Sequence, residues 1–385
     1  ASVLFLLYQK QKADTKLTLT VQGTSTIKEG ETLEVSATLR SNFSDFTVIA
    51  LPDTQHYSQS YPEIYLAQTE WIVENLEGRN IVFVTHLGDI VQDNDQIPEQ
   101  WERADKAMRL LDDVVPYGVL PGNHDMQKGG TANYYQQYFP AARYEDKAWW
   151  GGNFNGNNKN NYQFFSAGGD DYLILHLQYC PPMDAIQWAK DIIQTHPEKK
   201  TIVSTHVFLN PEGERMSKCK THSDGDVYPI QMWGQIIKNE SHVFMVLSGH
   251  MPGASRREDL EDRYIYQLLS DYQDMEKGGN GYLRIMTFQP EQDTILVETY
   301  SPYLDEYLAD EQNEFSLNFD MTGGPQPTGE IIIENGTDQC SVTAVNASCE
   351  LLFSQTGEIT LEASYRGDKN YRSTQAVPLT ITVQP

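Results

Sequence analysis

The chain has 385 residues, 39% apolar and 11% aromatic, which is too much hydrophobic material for a disordered chain and length enough for two domains. Its 54 acidic residues outnumber 28 basic ones, for a formal charge of -26, with no basic stripe to neutralise phosphates. That balance argues against a nucleic-acid grip, and it repels an anionic substrate except where a metal or an arginine reverses the local field.

Residues 2–8 form an apolar run far below the ~20 residues of a membrane span. They read either as the tail of a trimmed export signal or as an ordinary first strand. Residues 16–40 alternate apolar and polar with a period of two (Leu17, Leu19, Val21; Leu33, Val35, Ala37, Leu39) around a turn at Lys28-Glu29-Gly30-Glu31. Two half-buried antiparallel strands are predicted, and two strands alone need partners.

From residue 46 the pattern changes. Three apolar runs each stop at a side chain that can hold a metal: 46–52 at Asp53, 81–88 at Asp89, and 117–122 at Asn123, followed by His124 and Asp125. Between them, 61–76 and 98–112 carry apolar residues at helical spacing (Leu66, Ile72, Val73; Trp101, Ala107, Met108, Leu111). Strand–helix–strand–helix–strand implies parallel pairing, which brings the strand ends to one sheet edge, where ligand sites of such folds lie.

The Gly- and Asn-rich stretch 148–161 reads as a long irregular loop whose aromatics either line a cleft or pack over the core. Residues 172–178 form a strand and 184–194 a helix. Two further runs repeat the ending: 200–205 stops at His206 and 243–249 at His250. Residues 264–269, 281–288 and 294–300 read as strands without such an ending, forming a second sheet layer; Asp271, Tyr272 and Gln273 fall in a loop from which Tyr272 could reach the cleft.

After a linker at 321–328, short alternating strands return at 330–334, 341–345, 350–353, 358–365 and 377–383. Two strands before the central region and five after it make seven, the count of an immunoglobulin-like sandwich. Residues 365–371 and 378–383 resemble the end of a bacterial immunoglobulin-like repeat, and 26–39 resembles its beginning. The reading is a catalytic domain (46–320) inserted into a sandwich (14–45 plus 321–385), after an N-terminal segment (1–13). It predicts contact between 33–39 and 358–365; otherwise 1–45 is a separate tail. The four cysteines either pair locally, Cys340 with Cys349 and Cys180 with Cys219, or remain thiols, and spacing alone does not choose.

Singly, a histidine after a strand is usually structural, and an aspartate after glycine is usually a turn or cap. Five apolar runs that all end in metal-competent side chains point to a metal site. The ordered set Asp53, Gly88-Asp89, Gly122-Asn123-His124-Asp125, His206 and Gly249-His250 resembles the calcineurin-like metallophosphoesterases, over about residues 46–301. The resemblance implies an α/β (α+β) sandwich of two mixed β-sheets flanked by helices, with two divalent or trivalent ions (Mn, Fe or Zn) at the strand tips. It makes Asp89 the bridging carboxylate, with Asn123, His206 and His250 completing one site and Asp53 holding the other ion. His124 would sit over the substrate oxygens, with Asp125 orienting it. Such a pair of ions clamps phosphoryl oxygens and activates water for in-line displacement.

Two departures from the family pattern fall on the Asp53 site. The first motif, normally Asp-x-His, here reads Asp53-Thr54-Gln55-His56. If Asp53 ends a strand, alternation turns Gln55 to the side of Asp53 and His56 away, so Gln55 is the expected ligand through its amide oxygen. The last motif, normally Gly-His-x-His, is cut to Gly249-His250-Met251-Pro252. The Asp53 site is therefore expected to be weaker or to take a harder ion. His86 reads as structural.

The expected function is hydrolysis of a small phosphate monoester or diester by metal-activated water at a dinuclear site. The competing class is a cell-surface or extracellular binding protein on a degenerate phosphoesterase scaffold. The sandwich reads as a spacer or an attachment unit for a surface or glycan, on a chain that is secreted or cell-surface.

Overall fold

The computed structural model describes residues 14–21, 26–42, 44–219, 226–321, 327–343, 347–368 and 371–385; the 1–13 segment and most of the 321–328 linker lie outside them. The chain divides into two compact units, Asp45–Asp320, and Ala1–Ser44 with Met321–Pro385.

The larger unit contains two seven-stranded sheets. One runs Glu306–Tyr307, Thr294–Ser301, Leu283–Gln289, Phe46–Leu51, Ile81–His86, Tyr117–Gly118, with Phe315–Asn318 also on Thr294–Ser301. The other runs Gly253–Leu260, Tyr264–Asp271, Val243–Ser248, Lys200–Thr205, Asp170–Leu177, Asn160–Ala167, Trp150–Asn153. Both sheets are mixed. Phe46–Leu51, Ile81–His86 and Tyr117–Gly118 are parallel, as are the four strands from Asp170–Leu177 to Tyr264–Asp271.

The later strands are expected from sequence to form a second sheet layer, and they do not. Tyr264–Asp271 joins the sheet that carries the histidines, and Leu283–Gln289 pairs antiparallel with Phe46–Leu51. Phe46–Leu51 is buried along its whole length and needs a partner on each edge. One of those partners comes from over two hundred residues away, which no local pattern reveals.

The helices Pro62–Glu74 and Pro98–Met108 each open on proline with a glutamate in the first turn, where a missing N–H is harmless and a negative charge is favoured. The second continues past Met108 only as a tight turn, Arg109–Leu111. They bury Ile64, Tyr65 and Ile72, and Trp101, Ala104 and Met108, against Ile49, Val84 and Leu283 in one core. Trp101 is fully buried, worth about 1.5–3 kcal/mol for a large side chain, and its Nε1–H reaches the Asn94 carbonyl at 2.6 Å.

The 148–161 stretch holds strand rather than irregular loop: Trp150–Asn153 pairs with Asn160–Ala167. Trp149 and Trp150 pack on Tyr144, with centroids 6.0 and 5.4 Å apart, so these aromatics serve the core. The asparagines supply hydrogen bonds to buried backbone: Asn158 Nδ2 donates to the Phe139 carbonyl and Asn161 Nδ2 to that of Val119.

In the smaller unit, one sheet runs Asp14–Val21, Thr32–Asn42, Ala347–Leu352. The other runs Gln339–Val342, Ile331–Glu334, Gly357–Tyr365, Leu379–Gln384, Thr26–Lys28, with Thr374–Gln375 beside Gly357–Tyr365. Leu33, Val35 and Leu39 share one core with Leu361, Ala363 and Tyr365. Strands from both ends of the chain therefore build this unit together. Cys340 is bonded to Cys349 here, and Cys180 to Cys219 in the larger unit.

Candidate metal centre

Parallel strands deliver the candidate residues. Phe46–Leu51 leads to Asp53, Ile81–His86 to Asp89 and Tyr117–Gly118 to Asn123 and His124 in one sheet; Lys200–Thr205 leads to His206 and Val243–Ser248 to His250 in the other. Asp89, His206 and His250 offer ligand atoms within 4.8 Å of one another.

Glycines allow the approach. Gly88 has φ +93°, and a Cβ there would lie 2.8 Å from His206 Nδ1 and 2.9 Å from the Gly122 nitrogen. A Cβ on Gly122 would overlap the Asp89 side chain, and one on Gly249 would overlap Asp53 Oδ1.

Asp89 is buried, with Oδ1 accepting the His124 backbone N–H at 2.8 Å and Oδ2 lying 3.3 Å from His206 Nε2. Burial opposes its charge, but His206 and His124 outweigh burial and hold the carboxyl below its usual range. His206 Nδ1–H donates to the Leu87 carbonyl at 2.9 Å, which aims Nε2 at Asp89 Oδ2 and at Asn123 Oδ1, 3.1 Å away. A neutral imidazole so held points its lone pair at two oxygen acceptors. Three electron-rich atoms then face one another, an arrangement that a cation satisfies. Burial works against a charged His206, yet Asp89 and the Leu87 carbonyl raise its pKa.

His250 stands at φ +71° and donates its backbone N–H to both Asp53 oxygens, at 3.4 and 3.2 Å. Its ring lies 4.9 Å from that of His206 and 5.1 Å from Tyr179. Burial, then His206, lower its pKa to about 4, leaving the neutral, ligand-competent form. Burial, then Asp271 and Asp89, push the Asp53 carboxyl well above its usual range.

Gln55 is buried and its Oε1 has no hydrogen-bond partner. The alternation argument behind its selection does not apply, because the strand ends at Leu51 and Gln55 opens the helix Gln55–Ser60. His56 instead sits against Gly278, with Nδ1 3.3 Å from Gln59 Oε1.

The expectation that Asp125 orients His124 is corrected. His124 Nδ1–H donates to the Gln92 carbonyl at 2.8 Å. Asp125 is fully buried and accepts three backbone N–H groups, from Ile90 (3.0 Å) and Gly122 (2.8 Å) on Oδ2 and from Val91 (3.0 Å) on Oδ1. Asp125 therefore clamps the Asp89 loop to the Gly122 loop.

His86 is a bridge within the scaffold. Its Nδ1 accepts the Gly88 N–H at 3.1 Å, and its Nε2–H meets Thr54 Oγ1 at 3.0 Å, whose hydroxyl donates to the Ile90 carbonyl. Burial lowers its pKa to about 3. Tyr272 does not enter a cleft: it is buried, and its hydroxyl donates to Asn313 Oδ1 and accepts from Arg284.

One residue was not selected from sequence. The strand Tyr264–Asp271 also ends on a carboxylate, Asp271, which is buried and acts electrostatically on Asp53. The signal was the same apolar run with a terminal acid, hidden by closing the strand at Leu269 rather than at Asp271.

Residues 46–254 match the family model described as calcineurin-like phosphoesterase. The uncharacterized protein YvnB of Bacillus subtilis (strain 168) is 37% identical over 294 residues, covering 72% of this chain and 22% of the relative. The chain thus spans about a fifth of that relative's length. Similar solved structures include the purple acid phosphatase PPD1 of yellow lupin (Lupinus luteus), at 11% identity and TM-score 0.46, covering 80% of this chain and 70% of that one. A dimetal phosphatase from Danio rerio has 12% identity and TM-score 0.45, covering 71% of this chain and 99% of that one.

Proposed function

The chain belongs to the calcineurin-like phosphoesterase family, a metal-dependent one, and from that premise we propose that it hydrolyses a small phosphate monoester or diester at a dinuclear centre. Asn123, His206 and His250 would hold one ion and Asp53 with Gln55 the other, with Asp89 shared between the two positions. The observation that supports this most is the facing of His206 Nε2, Asp89 Oδ2 and Asn123 Oδ1. The unpartnered Gln55 Oε1 supports the second position. Bound cations supply Lewis acidity to phosphoryl oxygens and a nucleophile at neutral pH.

The residues do the rest. Leu87 fixes the His206 tautomer, and the His124 N–H holds one Asp89 oxygen while leaving the other toward His206. With Nδ1–H committed to Gln92, His124 keeps Nε2 for a substrate oxygen; in the imidazolium form Nε2–H carries the proton that passes to the leaving oxygen, leaving the ring neutral. The half-exposed positions of Asn123, His124 and His250 suit contact with a ligand.

The smaller unit is read as an immunoglobulin-like spacer or attachment module, on its two sheets and shared core. An exported or cell-surface location is supported by the two disulfides, which persist in oxidising compartments.

The test is hydrolysis of an aryl phosphate mono- and diester by Asn123→Ala and His250→Ala. Both are expected to lose about 100-fold or more while keeping the melting profile. Parent-like rates in both variants would refute the reading.

A further inference from the structure

We infer that Asp271 is a ligand of the Asp53-side metal position, supplying a donor where the family's last motif ends early at Met251-Pro252. The inference rests on the dinuclear reading above and adds a residue to it.

Register comes first. Val243–Ser248 and Tyr264–Asp271 are neighbouring parallel strands with Ser248 opposite Leu269. His250 lies two residues beyond Ser248 and Asp271 two beyond Leu269, so the two emerge level at the same sheet edge. His250 touches Asp53 through its backbone N–H. Burial, then the Asp271 and Asp89 carboxylates, act in the same sense on Asp53, raising its pKa. In turn, His206 and Asp89 are charged groups that act on Asp271.

Burial and charge come second. Asp53, Gln55, Asp89 and Asp271 are 3%, 2%, 1% and 0% exposed, so their oxygens are out of water. The charged groups that act most on Asp53 are all carboxylates: Asp271, Asp89 and Asp125. Buried like charges without a counter-charge are costly, and a cation among them removes that cost. The Gln55 amide oxygen, which has no partner, completes the set.

The competing explanation is a turn. Asp271 Oδ1 accepts the Gln273 backbone N–H at 2.9 Å and Oδ2 the Gln273 side-chain N–H at 2.7 Å. A carboxylate has about four acceptor positions, so both bonds leave room for an ion. A turn explains those bonds. It does not explain why an acid is buried at a strand tip level with His250.

With Asp271 included, the two positions differ in chemistry. One has two imidazoles with Asn123 and Asp89; the other has only oxygen donors, Asp53, Gln55, Asp89 and Asp271. All-oxygen sets favour hard ions such as Mn²⁺ or Mg²⁺, whereas imidazoles suit Zn²⁺ and Fe²⁺.

The experiment is equilibrium binding of Mn²⁺ to the full chain, read as free Mn²⁺ by electron paramagnetic resonance. Parent chain and Gln273→Ala, which loses the side-chain bond to Oδ2 but keeps the backbone bond and the carboxylate, should each bind two ions. Asp271→Asn should keep one ion and weaken the other about tenfold or more, since even outer partners of ligands are worth about 10–100-fold. Two ions with unchanged affinities in Asp271→Asn would overturn the assignment and leave the dinuclear reading standing. A parent chain that binds one ion would overturn the dinuclear reading itself. Should Asp271→Asn not fold, an anomalous map of Mn²⁺-loaded parent crystals decides. An ion bonded to an Asp271 oxygen upholds the inference, and both ions away from it refute it.

Discussion

Replacing Asp125 by alanine separates a clamp from an orienting residue. Three backbone donors, Ile90, Val91 and Gly122, lose their acceptor at once in a fully buried place. A buried N–H left unsatisfied costs about 1–3 kcal/mol. Three, with some relaxation and water entry, amount to about 4–6 kcal/mol, a large share of ordinary stability. For a unit as large as Asp45–Asp320, each kcal/mol lowers the melting temperature by about 2 °C, so the transition should fall by roughly 8–12 °C. Asp125→Asn retains an oxygen for Ile90 and Gly122 but turns an amide N–H₂ toward Val91, so about 1–3 kcal/mol should be lost. The assay is scanning calorimetry of the metal-stripped full chain, in which the smaller unit should melt unchanged. A catalytic-unit transition within about 1 °C of the parent, with only activity lost, would refute the clamp.

Other consequences follow from the same geometry. Gly122→Ala puts a methyl group into the Asp89 side chain, so hydrolysis should fall about 100-fold and Mn²⁺ affinity with it; an active, metal-binding variant would show that the loop can yield. Acid dependence isolates Asp271, whose carboxyl is pushed up to about 7, chiefly by burial. A carboxyl with a raised folded pKa binds more protons folded than unfolded, so its presence destabilises the fold increasingly as pH rises from about 4 to about 7. With chelator present, the melting temperature of Asp271→Asn should therefore gain on the parent across that window, and a constant gap would contradict the burial argument.

The legible part of this site was the part encoded locally. β-branched runs closing on Gly-Asp, Gly-Asn-His-Asp and Gly-His mark strand tips because a strand ends where glycine lets the chain turn, and side chains at tips face ligands. Proline and glutamate at residues 62–63 and 98–99 mark helix starts for equally local reasons. What stayed hidden depends on distant partners. Nothing near Asp125 indicates that its acceptors serve Ile90 and Val91, or that Gln92 holds His124. The Asn-rich 148–161 segment looks irregular because asparagine favours turns, yet here amides satisfy buried backbone between strands. Gln55 was selected by strand alternation, whereas a helix start sets its direction. Asp271 falls in an expected loop because the apolar run is closed at Leu269, whereas the strand continues to Asp271.

The central claim is that phosphoester hydrolysis here requires two ions held by the Asp53–Asp89–His250 edge. The most direct test is to strip the chain with chelator and add Mn²⁺ in steps, following hydrolysis of an aryl phosphodiester and bound metal in the same samples. The account predicts negligible rate without metal, little up to one ion per chain, and a rise that levels off at two. A rate that is full at one ion per chain, or that survives stripping, would contradict it.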